Sequence, residues 1–231
     1  MTASGRDRLV LRAGITVIVG QQPYEKADAN VALWADHFVP TTATGGLTVC
    51  LYSRSMRAEI RKEVDLIEPL DQLEQENKSD VLSWIDSGVE ICRLKKPDVP
   101  PKHLISYFAL VDGEYILLVD HINAELWLPT GGHVEPDEHP RTTALREAKE
   151  ELSIDGEFLH EHPLFVTITE TVGKTAGHTD VSIWYTLKGD RSKELDFDDS
   201  EFLGVRWFHK DEVPLSRTDK HMERFLKKLY P

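Results

Sequence analysis

The stretch Gly132-His133-Val134-Glu135-Pro136-Asp137-Glu138 and, after seven intervening residues, Arg146-Glu147-Ala148-Lys149-Glu150-Glu151-Leu152-Ser153-Ile154 decide how the rest of this chain is read. Pro140 suits the first turn of a helix, because its missing N–H would be unpaired there anyway, and no Pro or Gly interrupts Arg141 to Leu152. The spacing predicts a helix over about 140–152. Residues three and four apart share a helix face, so Glu147, Glu150 and Glu151 converge while Leu145, Ala148 and Leu152 form an apolar stripe toward the core. Three carboxylates within one turn repel one another, which weakens a bare helix unless a divalent cation neutralises them. All-oxygen ligation suits Mg²⁺ or Mn²⁺ better than zinc. Arg146, four residues before Glu150, is in reach to orient a carboxylate. Gly131-Gly132 lets backbone approach a phosphate or a metal with no side chain in the way.

The pattern resembles the Nudix box, in which a Gly, a Glu and an Arg-Glu-apolar-any-Glu-Glu run recur at these spacings, with Ser153 standing where that family has Gly. The resemblance covers roughly residues 100–231. It implies an α/β (α+β) fold, an α/β/α sandwich around a mixed sheet. It also implies a Mg²⁺-dependent pyrophosphohydrolase, with Mn²⁺ as the alternative ion. Water would attack a phosphorus of a nucleoside triphosphate, or of a nucleoside diphosphate linked to another group, and leave two phosphate-ended products. On the same ground Glu147, Arg146 and Glu150 are the expected catalytic residues. Glu147, Glu150, Glu151, the Gly131 carbonyl and Glu138 are the expected metal ligands, Glu138 through a water or from behind the first ligands. Glu138 reads equally as a helix N-terminal charge. The general base stays open among Glu147, Glu170, Asp180 and Glu201.

Gly132 and His133 in the glycine loop, Trp127 just before it, and His178 and Asp180 ahead of the alternating run Val181–Leu187 are the expected substrate contacts. Trp127 inside Leu-Trp-Leu reads either as a nucleobase platform or as core, and His133 either as a phosphate contact or as a solvent-facing loop residue. Isopentenyl diphosphate isomerases and noncatalytic nucleotide-sensing modules are alternatives on the same fold. No motif here points to the first, and the intact glutamates weigh against the second. Ser153, at a helix end that calls for a left-handed backbone, touches none of the expected ligands.

A net charge of −13 over 231 residues argues against nonspecific binding to nucleic acid or anionic membranes, so the expected partner is a small nucleotide. Two cysteines, Cys50 and Cys92, form no metal spacing and no disulfide framework, and no apolar run is long enough to span a bilayer. A cytoplasmic protein is expected. His121, His139, His160 and His162 show no paired-ligand spacing on a helix, so zinc is not implied.

Working outward, Lys95 to Pro101 reads as a linker opening a catalytic domain over 95–231. Strands are predicted over His103–Val111, Tyr115–Asp120, Leu126–Pro129, Phe165–Val172, His178–Leu187 and Leu203–Phe208, with Trp207-Phe208 anchoring the last. An amphipathic helix is predicted over Leu215–Tyr230. Residues 56–94 read as a helical appendage, Met56 to Ile67 and then Pro69 to a cap at Gly88, which covers the core, lids the cleft or mediates a homodimer. Residues 1–55 carry five basic and four acidic residues and lack sustained periodicity. They are expected to be poorly structured, with Met56 as the native start.

Overall fold

Successive strand residues point to opposite faces of a sheet, and here both faces are apolar. Along β1 (Lys102–Asp112), Phe108 and Leu110 join one buried cluster while Ala109 and Val111 join a second; along β2 (Tyr115–His121), Leu117 and Val119 go one way and Ile116 and Leu118 the other. A sheet buried on both sides needs helices on both sides. On the first face lie Ile60 and Val64 of α1 (Gly45–Asp65), Val81 and Ile85 of α2 (Gln72–Asp86), and Ala144, Ala148 and Leu152 of α3 (Pro140–Leu152). On the second lie Met222, Phe225 and Leu226 of α4 (Met222–Leu229).

β1 organises the sheet. β6 (Thr179–Lys188) runs parallel to it from Lys102↔Thr179 to Val111↔Lys188, and β5 (Phe165–Glu170) follows antiparallel beyond β6. The other edge of β1 pairs antiparallel with β4 (Thr130–His133) from Ile105↔His133 to Phe108↔Thr130, then with β2 through a turn in which Gly113 takes φ +60°. β2 in turn carries β3 (Leu126–Leu128) on one side and β7 (Phe202–His209) on the other. The outcome is the expected mixed sheet between helical layers.

The computed structural model describes residues 45–96, 99–171 and 177–231, with side chains from residue 55 onward. The expectations for residues 1–44, for Pro97 and Asp98 and for Val172 lie outside the described residues. Three boundaries differ from the sequence reading. α1 begins at Gly45 rather than Met56, because no Pro or Gly stands between Leu47 and Ile67 to stop it. α4 begins at Met222 rather than Leu215: Leu215–Arg217 forms only a short 3-10 turn, and Thr218 is then extended because its hydroxyl donates to the Trp127 carbonyl and residues 127 and 218 form a bridge, before Asp219 receives the His221 N–H at 2.7 Å. In α3 the apolar stripe is Ala144, Ala148 and Leu152, each fully buried, while Leu145 sits on the rim at 36% exposure. No helix among the described residues is long and apolar enough to cross a membrane.

Ser153 caps α3 in the left-handed region, φ 55° and ψ 25°, and the Ile154 N–H returns to the Ala148 carbonyl at 3.2 Å. A residue with a Cβ pays about 1 kcal/mol there. Ser153→Gly is therefore expected to stabilise the protein by about 0.5 kcal/mol, net of the added freedom of the unfolded chain, as a rise in the urea midpoint at constant slope.

Asp71 couples two layers. Its carboxylate accepts the Glu74 N–H at 2.9 Å as the cap of α2, and receives Nε and Nη2 of Arg224 on α4 at 2.7 and 2.6 Å. The Arg224 hydrogen bonds hold its pKa down at about 2. A depressed carboxylate stabilises the fold above its unfolded pKa and loses that contribution as pH falls through the folded one. The stability advantage of wild type over Asp71→Asn, which keeps a capping side chain, is thus expected to be full above pH 4 and to vanish toward pH 2 in denaturation midpoints taken across that window.

Candidate functional site

Two close approaches fix the glycine loop. A Cβ on Gly131, at φ +148°, would stand 2.1 Å from the Ser106 carbonyl oxygen and 2.8 Å from Tyr107 Cα on β1; one on Gly132 would stand 2.0 Å from Glu147 Oε1. Glycine at 131 lets β4 lie against β1, and glycine at 132 lets the Glu147 carboxylate press against the loop. The Gly131 N–H also donates to Glu151 Oε2 at 3.2 Å. Loop and helix are thereby locked face to face.

Arg146 organises the acids of α3. Its Nε and Nη2 donate to the two oxygens of Glu138 at 3.0 Å each, its Nη1 to Glu147 Oε1 at 2.8 Å and Glu150 Oε2 at 3.1 Å, and its Nη2 also reaches the His133 carbonyl at 3.3 Å. Such forked contacts fix a carboxylate's plane as well as its place. Glu138 accepts further from Thr143 Oγ1 at 2.8 Å and the Glu135 N–H at 3.2 Å. Burial works to raise the Glu138 carboxyl, but the hydrogen bonds from Arg146, Thr143 and Glu135 outweigh it and hold it below the usual range. Its oxygens are occupied within the protein.

Glu147 and Glu151 are in the opposite condition. Burial, and then the charges of Glu147 and Glu201, push Glu151 up to about 9; burial, opposed by Arg146 and assisted by Glu150 and Glu201, also raises Glu147. A buried and a half-buried carboxylate that repel each other fit a hard divalent cation, which supplies the charge they lack. Of the three box glutamates on α3, Glu147 and Glu151 line a cleft of about 1090 Å³, whereas Glu150 is 59% exposed on its side chain and turned to Arg146.

The same cleft is lined by Gly132, His133, His178, Asp180 and Glu201. Glu170, the last residue of β5, is exposed and does not line it. Trp127 does not line it either. Its ring packs edge-on against Phe208, centroids 5.1 Å apart, with the Arg217 guanidinium 5.8 Å from its centre. Half-buried, Trp127 packs against the second core cluster on the side of Phe208 of β7. His133 is half-buried, and burial followed by the nearby charge of Arg93 pushes its imidazole down to about 3, so that it is neutral.

Three cleft features escaped the sequence reading. Arg93 lines the cleft from the end of the segment read as a helical appendage and Lys96 from the one read as a linker; their signal was three basic residues, Arg93, Lys95 and Lys96, in a strongly acidic chain. His103 on β1 meets His133, His178 and Asp180, and one ligand atom from each of the four lies within 4.8 Å of the others. Those residues come from three separate strands or strand ends, so no spacing along the chain announces them.

No curated protein sequence matches the chain. Among solved structures it is similar to a NUDIX-family hydrolase from Clostridium perfringens (TM-score 0.44, 21% identity, 55% of this chain and 95% of that one). It is also similar to the MutT NUDIX hydrolase from Burkholderia pseudomallei (0.45, 22%, 55% and 96%) and to the C. elegans Ap4A hydrolase (0.45, 19%, 55% and 94%). The family model for the NUDIX domain matches residues 102–229, more than half of the chain. A mixed sheet between helices, a glycine loop locked onto a glutamate helix and that match together place the chain in the NUDIX domain family.

Proposed function

We propose that the chain is a Mg²⁺-dependent pyrophosphohydrolase, able to use Mn²⁺, that cleaves a nucleoside triphosphate or a nucleoside diphosphate joined to another group by attack of water at phosphorus. The observation that carries this reading is the pair of mutually repelling carboxylates, Glu151 buried and Glu147 half-buried, at the wall of a large cleft beside the glycine loop. Glu147 and Glu151 would hold the cation together with the Gly131 carbonyl, and Glu150 would join them only by turning away from Arg146. When bound, Mg²⁺ polarises the bridging phosphates and lowers the pKa of water. Arg146 keeps the Glu147 carboxylate in position. Glu138, saturated by Arg146, Thr143 and Glu135, acts by orienting Arg146. Arg93 and Lys96 offset phosphate charge from across the cleft.

Among the acids outside the box, Glu201 lines the cleft and its charge bears on both Glu147 and Glu151. We assign it the removal of a proton from the attacking water. A panel of nucleoside triphosphates, nucleotide sugars, ADP-ribose, dinucleoside polyphosphates and NADH, incubated with Mg²⁺ or with chelator, tests the reading. Metal-dependent release of two phosphate-ended products is expected. Glu201→Gln should lower kcat by about 10²- to 10³-fold with little change in KM. Binding of these nucleotides without cleavage of any would overturn the assignment and leave a sensing module.

A further inference from the structure

The four residues His103, His133, His178 and Asp180 form a second group of metal-type donors, chemically unlike the carboxylates of α3. The sheet brings them together. His103 and Asp180 are register partners on the parallel strands β1 and β6, His178 immediately precedes β6, and His133 ends β4 opposite Ile105. His178 Nε2 lies 3.2 Å and His103 Nε2 3.7 Å from Asp180 Oδ1. The His103 ring lies 4.9 Å from that of His133 and 5.1 Å from that of His178.

Hydrogen bonds on the outer side of two rings set which nitrogen faces inward. His103 Nδ1 sits 2.8 Å from the Pro100 carbonyl, which can only accept, so Nδ1 carries the proton and Nε2 the lone pair. Thr171 Oγ1 lies 3.1 Å from the His178 carbonyl and 3.2 Å from His178 Nδ1; with its one hydrogen on the carbonyl it accepts from Nδ1–H, the tautomer that again leaves the lone pair on Nε2. Backbone or hydroxyl partners on the far nitrogen are the usual outer layer around a histidine metal ligand. His133 Nε2 is buried and has no hydrogen-bond partner among the described residues. A protonated His178 beside Asp180 would satisfy that pair alone, and would leave His133 unexplained.

We propose that His103, His133, His178 and Asp180 bind one first-row transition-metal ion, zinc foremost, at a site separate from the glutamates of α3 but opening into the same cleft. Three imidazoles and a carboxylate suit Zn²⁺, Fe²⁺, Co²⁺ or Ni²⁺ and disfavour Mg²⁺. Tetrahedral bonds of about 2.0–2.2 Å place ligand atoms about 3.3–3.6 Å apart, so four donors already within 4.8 Å of one another close onto one ion with side-chain rotations. His133, His178 and Asp180 line the cleft and His103 is buried behind them, which puts the metal in its wall with His103 as the inner anchor.

Zinc content after dialysis, together with Co²⁺ absorption spectra, tests the site without any turnover assay. Wild type should retain one zinc per chain, bind Co²⁺ with visible bands of a nitrogen-rich site, and melt higher with zinc. His133→Gln and Asp180→Asn should each weaken zinc binding by at least about 100-fold, given that loss of even an outer-layer partner costs 10- to 100-fold. Both variants keep side-chain size, and their metal-free melting temperatures report whether they fold. Glu150→Gln and Glu151→Gln should retain the zinc. Absence of stoichiometric zinc from wild type, undiminished binding in folded His133→Gln and Asp180→Asn, or loss of zinc in Glu151→Gln would each overturn the proposal. Mg²⁺-dependent turnover is measured independently, so failure of one assignment leaves the other standing.

Discussion

Glu151→Gln is expected to lower kcat/KM by about 10³-fold, the scale on which removing one group that stabilises transition-state charge acts, and to abolish the rise in melting temperature that Mg²⁺ is expected to give the wild type. Its effect on the metal-free protein should have the opposite sign. Glu151 has its pKa raised to about 9 by burial and by Glu147 and Glu201. A carboxyl whose folded pKa exceeds its unfolded one favours the fold at pH below about 4 and loses that contribution as pH rises toward 9. Metal-free wild type is therefore penalised at pH 8 by a buried acid that must either keep its proton or bear an uncompensated charge. Glutamine bears no charge, and its carbonyl oxygen can still accept the Gly131 N–H. The metal-free variant should melt at or above the wild-type temperature at pH 8, and the difference should shrink toward pH 5. Differential scanning calorimetry with and without Mg²⁺ at the two pH values measures this. A variant that melts well below wild type without metal would show that Glu151 holds the fold together rather than a cation.

The largest effect on stability is expected at Lys228. Glu74, within α2, is fully buried and receives Lys228 Nζ from α4 at 2.6 Å on one oxygen and the Leu70 N–H at 2.7 Å on the other. Burial lowers the pKa of Lys228, with Glu74 opposing. Removing one partner of a buried pair leaves the other charge without compensation in a low dielectric, at a cost of about 3–5 kcal/mol. Lys228→Met should accordingly lower the melting temperature by roughly 10 °C, given about 2–4 °C per kcal/mol for a folded unit of this size. The double variant Glu74→Leu/Lys228→Met should recover most of the loss. A single variant that costs less than about 1 kcal/mol would mean that water or another cation reaches Glu74.

Local chemistry made part of this molecule legible and long-range geometry hid the rest. α3 runs from Pro140 to Leu152, as the proline and the unbroken run after it predict, and Ser153 adopts the left-handed cap that its place in the motif demands. The strands follow their apolar runs to within a few residues because the period of two is local. The core face of α3 was misread by one position: Ala144 and Leu145 are both apolar, and only packing against the sheet decides between them. Glu150 shares a helical face with Glu147 on paper, yet its side chain turns to Arg146 at the surface. Arg93 lay at the end of the segment read as a helical appendage and Lys96 in one whose prolines suggested a linker, and nothing in the spacing of His103, His133, His178 and Asp180 says that β1, β4 and β6 bring them together. Sites assembled across strands leave no periodic trace, whereas sites on one helix do.

Turnover in H₂¹⁸O, with mass spectrometry of both products, tests the central claim most directly, on whichever compound of the panel is cleaved. Attack of water at phosphorus predicts one ¹⁸O atom per turnover, located in a phosphate-ended product, in the presence of Mg²⁺ and not with chelator. A rearranged diphosphate carrying no label, or label confined to the non-phosphate portion of a product, would contradict it.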